Sequence, residues 1–157
     1  MSETIASRLS ALGHRLPVAS APAANYVSTV RTGDLLVVSG QISTRNGAVL
    51  TGAVGAGVSI EEGRVAAECA AISVLSQIAA ATGGALASVR RVVRLGVYIA
   101  SAPDFEKQSE VANGASDLVV GVFGDAGRHA RAAVGVAALP AGATVEIEAL
   151  VELEPEA

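Results

Sequence analysis

The sequence has no tryptophan, two phenylalanines, two tyrosines and one methionine in 157 residues. So few rings leave little surface on which nucleobases could stack. A core must instead be assembled from Val, Leu, Ile and Ala, which favours thin, closely packed layers. Cys69 is the only cysteine, so no internal disulfide can form. Runs of basic residues are also missing, and the formal net charge is -4. A broad nucleic-acid-binding surface is therefore disfavoured, whereas a small anion held by one or two arginines is not. No stretch of about 18 uncharged apolar residues marks a membrane span. The N-terminus lacks the basic start and apolar run of a signal peptide, so the expected location is the cytoplasm. His14, His129 and Cys69 lie too far apart for metal-ligand spacing. The glycines at 52, 55 and 57 and at 83–84 match no phosphate loop, and no metal or other cofactor is expected.

What is present fits one domain over residues 1–157. Ser2, Ile5, Leu9, Leu12 and Gly13 read as a short added helix over about residues 2–13. Residues 26–31 and Leu35–Ser39 read as a hairpin around Thr32-Gly33-Asp34, the second strand dense enough in β-formers to be buried on both faces. A short strand over residues 48–50 and a glycine-rich loop follow. Ser59, with Glu61 and Glu62 behind it, opens the longest helix, which ends at Gly83-Gly84. Val65, Cys69, Ile72 and Ala79 form its predicted apolar stripe, with Cys69 as a buried structural thiol. Val92–Ile99 reads as a strand with Val93, Leu95, Val97 and Ile99 on one face. Asp104 is the expected cap of a second helix reaching Val122. The last element reads as a hairpin, with strands from Arg131 to Ala138 and from Ala143 to Leu153 joined by Leu139-Pro140-Ala141-Gly142. In its second strand the odd positions are apolar and Glu146, Glu148 and Glu152 share the other face. The sum is an α+β fold of two layers, with two helices packed on one face of a mainly antiparallel sheet.

Few residues stand out chemically. Arg131 opens a strand, and its guanidinium offers a planar fork that matches a carboxylate; a surface arginine at a strand edge fits the same local sequence. Glu146, Glu148 and Glu152 could orient water or move a proton, or could simply form a solvated strand face. Ser39-Gly40 ends a strand where glycine permits close approach and free N–H groups could receive an anion. If Ala138 opposes Ala143, Arg131 opposes Leu150 and shares the face of the glutamates. Glu148 is then its diagonal neighbour. Glu146 lies four residues from the opposed position, roughly 13 Å away within one chain. An Arg131–Glu146 partnership is thus expected across a subunit boundary.

Several segments together resemble the RidA/YjgF family. They are Asn25-Tyr26-Val27, Gly33 to Gln41 with its Ser39-Gly40-Gln41 end, Val92 to Leu95, Asp104-Phe105, Ala130-Arg131, and Leu139 to Ala149 with its Glu146-Ile147-Glu148 core. The resemblance spans about residues 20–153. It implies a fold like that of the chorismate mutase of bacilli, a homotrimer whose sheets enclose a barrel and whose clefts lie between subunits. It further implies hydrolysis of 2-imino or 2-enamino acids to 2-keto acids and ammonia. Arg131 would hold the substrate carboxylate and Glu146 the hydrolytic water. Tyr26, Ser39, Gly40 and Asn113 match other binding positions, and backbone groups near Ala133 could help hold a water. Ala133 stands where many deaminating members carry a cysteine, and Asn25 replaces a glycine-proline pair, features similar to a less characterised branch. A trimer that binds small carboxylates without turnover is the alternative. Endoribonuclease activity, a label some members carry, is disfavoured by the acidic charge, scarce aromatics and lack of a His-based acid/base pair.

Overall fold

The alternation in the last strand organises the whole molecule, which is described over residues 1–157 by a computed structural model. Strand β9, Val145–Leu153, buries every odd position and leaves every even one half-exposed. It pairs antiparallel on one side with β2, Leu35–Ile42, and on the other with β7, Val89–Ala100. Strand β1, Thr29–Thr32, extends the sheet beyond β2, and β8, Ala130–Val136, runs parallel to β7 at the far edge. The order is β1-β2-β9-β7-β8, a mixed sheet with one parallel pairing. Two-residue strands β3 to β6 (Thr44–Arg45, Ala48–Val49, Ala53–Val54 and Gly57–Val58) shape the connection from β2 to the long helix.

Helices α2, Ile60–Thr82, and α3, Gln108–Phe123, cover one face of this sheet, as expected for an α+β fold. The Ser59 side chain accepts from the Glu62 N–H at 3.1 Å, and the Glu62 carboxylate accepts from the Ser59 N–H at 2.8 Å, closing a capping box. These bonds hold the Glu62 carboxyl below the ordinary glutamate range. Gly83, at φ 73°, ends α2 in the left-handed conformation. α2 is long and apolar enough to cross a membrane by length and composition, yet more than half of its most apolar stretch is covered within the fold. Its buried stripe runs through Ala67, Ala70, Ala71, Val74 and Ile78; Val65 is exposed and Ile72 only half-buried. The predicted stripe is thus rotated from the buried one: the first half of the helix turns Gly63, Ala66, Ala67, Ala70 and Ala71 inward, which permits close approach, and the second half buries Val74, Leu75 and Ile78. Gly114 of α3 lies against the Arg64 carbonyl of α2, where a Cβ would collide.

Other boundaries also move. Thr4, not Ser2, caps α1, Ile5–Ala11, through reciprocal bonds with Ser7 at 3.0 Å. The first strand begins at Thr29 rather than Tyr26. Leu36 and Val38 are buried but Leu35 and Val37 are not, because helices cover only one side of β2. A bulge between Val92 and Arg94 puts Val92 rather than Val93 with Leu95, Val97 and Ile99 in the core. Asp104 caps nothing: residues 102–105 form a turn, Phe105 packs against the core, and α3 starts after Lys107.

The main correction concerns the last hairpin. β8 and β9 are not partners, because β7 lies between them. The linking residues are stitched elsewhere: Gly52 N–H bonds the Gly142 carbonyl, Thr144 N–H the Leu50 carbonyl, and Ala100 N–H the Thr144 carbonyl. The chain thereby crosses the end of β7. β7, α3 and β8 instead form a parallel crossover unit, and the assumed Arg131–Leu150 register falls.

Candidate functional site

Arg131 is the second residue of β8, aligned with Leu95 of β7, which in turn aligns with Ala149 of β9. Aligned residues of neighbouring strands point to the same side, so Arg131 projects toward the helices and away from the glutamates. There its Nη1 donates to Asn113 Oδ1 at 2.9 Å and to Ser116 Oγ at 3.1 Å. Asn113 and Ser116 are three residues apart and so share one face of α3. Ser116 Oγ lies 2.9 Å from His129 Nε2, and His129 Nδ1 lies 2.7 Å from the Gly127 carbonyl. Ser116, His129 and Arg131 line an open depression of about 290 Å³, flanked by Arg128 and Val120. Both bonds of Arg131 to protein leave from Nη1, so Nε and Nη2 remain to meet an anion as a fork.

Glu146 occupies the opposite side of the sheet, aligned with Tyr98 and Ile42. β2 bulges between Val38 and Gln41, so Ser39 and Gly40 have no partners on β9. A Cβ on Gly40 would collide with the Glu146 carboxylate, so glycine there admits the side chain. Burial, and then the neighbouring Glu148 charge, raise the Glu146 carboxyl above the ordinary glutamate value. Tyr26, Gly40 and Glu146 line a cleft of about 940 Å³ that runs between the 13–23 segment and α2, past Cys69. Cys69 itself is a buried free thiol.

The predicted residues therefore fall into two half-sites within one chain. One joins Arg131 and Asn113; the other joins Glu146, Gly40 and Tyr26. Arg131 and Glu146 are separated by two strand spacings and three residues, roughly 14 Å between backbones, and by the sheet itself. Ser39 binds no anion through its N–H, which donates to the Ser28 carbonyl at 2.9 Å, and its hydroxyl donates to the Val27 carbonyl at 2.7 Å. Ala133 follows Arg131 on the same face and packs its methyl against the core. Glu148 pairs with Tyr98, whose hydroxyl donates to it at 2.6 Å, and lies 3.6 Å from Arg94, not with Arg131. That bond, with some burial, raises the Tyr98 phenol above its usual value. No three His, Cys, Asp or Glu side chains gather into a metal-holding group. Sequence reasoning missed Ser116 and His129. Their signal was faint: a polar residue three positions beyond Asn113, and a histidine two positions before Arg131.

Comparison with known proteins agrees with this arrangement of elements. The family Endoribonuclease L-PSP matches residues 17–153. Protein TCP17 of Trypanosoma cruzi is 53% identical over 154 residues, covering 97% of this chain and 96% of its own. The crystal structure of Atu1372 from Agrobacterium tumefaciens, a protein of unknown function, superposes with a TM-score of 0.90 at 48% identity, covering 96% of this chain and 92% of that one. The YjgF gene product of E. coli shares the fold at a TM-score of 0.61 and 24% identity, covering 96% and 98%.

Proposed function

Because the chain belongs to the endoribonuclease L-PSP family, that of the RidA/YjgF proteins, we propose that it is a homotrimeric hydrolytic deaminase of 2-imino and 2-enamino acids. The observation that carries this reading is the division of the site. A guanidinium with a free fork lies on one face and a carboxylate with a raised pKa on the other. In a ring of three chains built like the chorismate mutase of bacilli, the Arg131 depression of one copy would meet the Glu146 cleft of the next. A closed ring repeats one such heterologous contact at every boundary.

The chemistry follows from those two groups. Arg131 takes the substrate carboxylate through Nε and Nη2, which fixes the imine carbon toward the neighbouring Glu146. Glu146 accepts a proton from water as the oxygen attacks that carbon, and the imine nitrogen takes up a proton to give a carbinolamine. Proton transfer to nitrogen then expels ammonia, and the C–O bond becomes the carbonyl of the 2-keto acid. A base with a raised pKa is better matched to neutral pH than an ordinary glutamate. Tyr26 and Gly40 shape the water side of the cleft. The balance is one imine plus one water to one keto acid plus one ammonia, with no redox change.

Ala133 favours a second reading. Where many deaminating members have a thiol beside the arginine, this chain has only a methyl group, which suits a trimer that binds small carboxylates without turnover. Ammonia release from freshly generated 2-aminoacrylate separates the two. Deamination reads as acceleration over the spontaneous rate, with loss of about a hundredfold or more in Arg131→Ala. An unchanged rate in that variant removes Arg131 from the role, and stabilisation by pyruvate without acceleration leaves the binding trimer.

A further inference from the structure

Arg131 does not stand alone in its depression. Its Nη1 is held by Asn113 and by Ser116, and behind Ser116 stands His129. The directions of these bonds follow from donor inventory. The Gly127 carbonyl can only accept, so His129 Nδ1 carries the hydrogen of that 2.7 Å bond. In the neutral ring Nε2 is then an acceptor, and the Ser116 hydroxyl donates to it. Arg131 can only donate, so it gives its hydrogen to the oxygen of that same hydroxyl. The result is a one-way relay from Arg131 through Ser116 and His129 to the Gly127 carbonyl. The far end is rigid, since Gly127 is buried against the backbone of Val119 and Val120, where a Cβ would meet the Val119 carbonyl oxygen at 2.6 Å.

We propose that Ser116 and His129 are positioning residues of the Arg131 anion site, and that protonation of His129 releases the Ser116 hydroxyl hydrogen from His129 to become an additional donor for the bound carboxylate, while the Ser116 oxygen goes on accepting from Arg131. This rests on the reading of Arg131 as the carboxylate anchor. When Nε2 gains a proton it must donate, and the acceptor in reach is Ser116 Oγ. That oxygen then accepts from both His129 and Arg131, and its own hydrogen is released toward the depression that all three residues line. The carboxylate gains a hydroxyl donor and a nearby positive charge in one step. Histidine is the side-chain type that changes charge between pH 5 and 8.

The surroundings contain little to mask this effect. From the loop and β8 the depression is faced by Arg128 and Arg131, and from α3 by Ser116 and Val120. Of the nearby carboxylates, Asp125 lies 3.3 Å from Arg128 at the rim of the depression and Asp117 lies 3.7 Å from Arg64. Arg94, on the neighbouring strand, is on the other face with Glu148.

The test is calorimetric titration of the intact protein with pyruvate, a carboxylate that does not itself titrate in this range. From about pH 8 to about pH 5.5 affinity should rise about two- to fivefold, the scale of a partly exposed charge contact. His129→Gln keeps a polar group for Ser116 but cannot ionise in this range, and its affinity should be flat with pH. Ser116→Ala should bind more weakly at every pH and rise less than wild type, because it keeps the His129 charge but loses the hydroxyl donor. His14 stays in all these proteins and cancels in the comparison. A His129→Gln protein that repeats the wild-type rise, while Arg131→Ala loses binding, sinks the relay alone. An Arg131→Ala protein that binds as wild type removes the anchor, and the relay with it. Imidazole nitrogen shifts in the free protein give a check that needs no ligand. At about pH 8 His129 should carry its hydrogen on Nδ1, and the opposite tautomer overturns the inference.

Discussion

Arg131 and Glu146 of one chain stand on opposite faces of the same sheet. Arg131 shares its side with Leu95 and Ala149 and bonds to helix α3, while Glu146 lies beside Tyr98 on the side the helices leave open. No side-chain rotation brings the two together, because strand β7 and the sheet backbone intervene. If both serve one reaction, they do so from different copies.

That relationship yields a complementation test. Arg131→Ala and Glu146→Gln proteins should each be inactive as pure assemblies. Unfolded together and refolded as a mixture, they should recover activity, because a cleft can draw Arg131 from one variant and Glu146 from the other. Random assortment of equal amounts restores about a quarter of the clefts. Ammonia release from a generated imine reads the outcome. A mixture as inactive as its components places both residues in the same copy's site, or neither in a site at all.

Gly40→Ala separates a local shift from a global one. The added methyl meets the Glu146 carboxylate, which is the end of a flexible side chain rather than backbone. The glutamate should move aside at a cost of about 1 kcal/mol or less in stability. Activity should fall far more, by about a hundredfold, since a shift of about 1 Å at a positioned group can cost that much. Denaturant melts and rates on the same preparation check both halves. A large stability loss with full activity contradicts the assignment of Gly40 as the residue that makes room for Glu146.

Glu146 also predicts a pH dependence of stability. Its carboxyl is raised above the ordinary 4.5 by burial and by Glu148. A raised carboxyl binds its proton more tightly when folded, so its contribution is full below the unfolded value and is lost as pH rises through the folded value. Glu146→Gln removes the ionisation. The variant should therefore melt higher than wild type at about pH 7 to 8, with the gain disappearing by about pH 4. Calorimetric scans across that range check it, and a wild-type advantage at neutral pH contradicts the sign.

The comparison of sequence with fold shows which kinds of information are local. The Ser59–Glu62 box, the Gly83 stop and the alternation of β9 depend on neighbours a few residues away, and all are legible in the string. Strand adjacency is not. Ala143 follows Ala138 by five residues, yet β7, which begins some fifty residues earlier, separates their strands. The turn at Leu139–Gly142 looked like a hairpin loop because the bonds that fix this stretch, Gly52 N–H to the Gly142 carbonyl and Thr144 N–H to the Leu50 carbonyl, come from across the chain. The error mattered for the site, since strand neighbours decide which face Arg131 occupies. The inference that Arg131 and Glu146 of one chain do not meet survives, but on opposite faces rather than on distance along one face. Ser116 and His129 were illegible for the same reason: they meet only when α3 lies across β8.

The added N-terminal helix is expected to be part of the core rather than an ornament. Ile5 and Leu9 are fully buried, while Leu12, at the C-cap of the helix, is 43% exposed. Arg8 reaches the far end of α3, donating to the Gly121 and Val122 carbonyls at 3.2 Å, where a cation suits the helix dipole. Leu9→Ala should cost about 2–5 kcal/mol, the range for truncating a buried leucine. Arg8→Ala should cost about 1 kcal/mol through its lost bonds, and Leu12→Ala less than about 0.5 kcal/mol. Chemical denaturation of the three variants gives the ranking. Because α3 also carries Asn113 and Ser116, Leu9→Ala should in addition weaken carboxylate binding, whereas Leu12→Ala should not. A Leu9→Ala protein as stable as wild type contradicts the docking of α1 against α3.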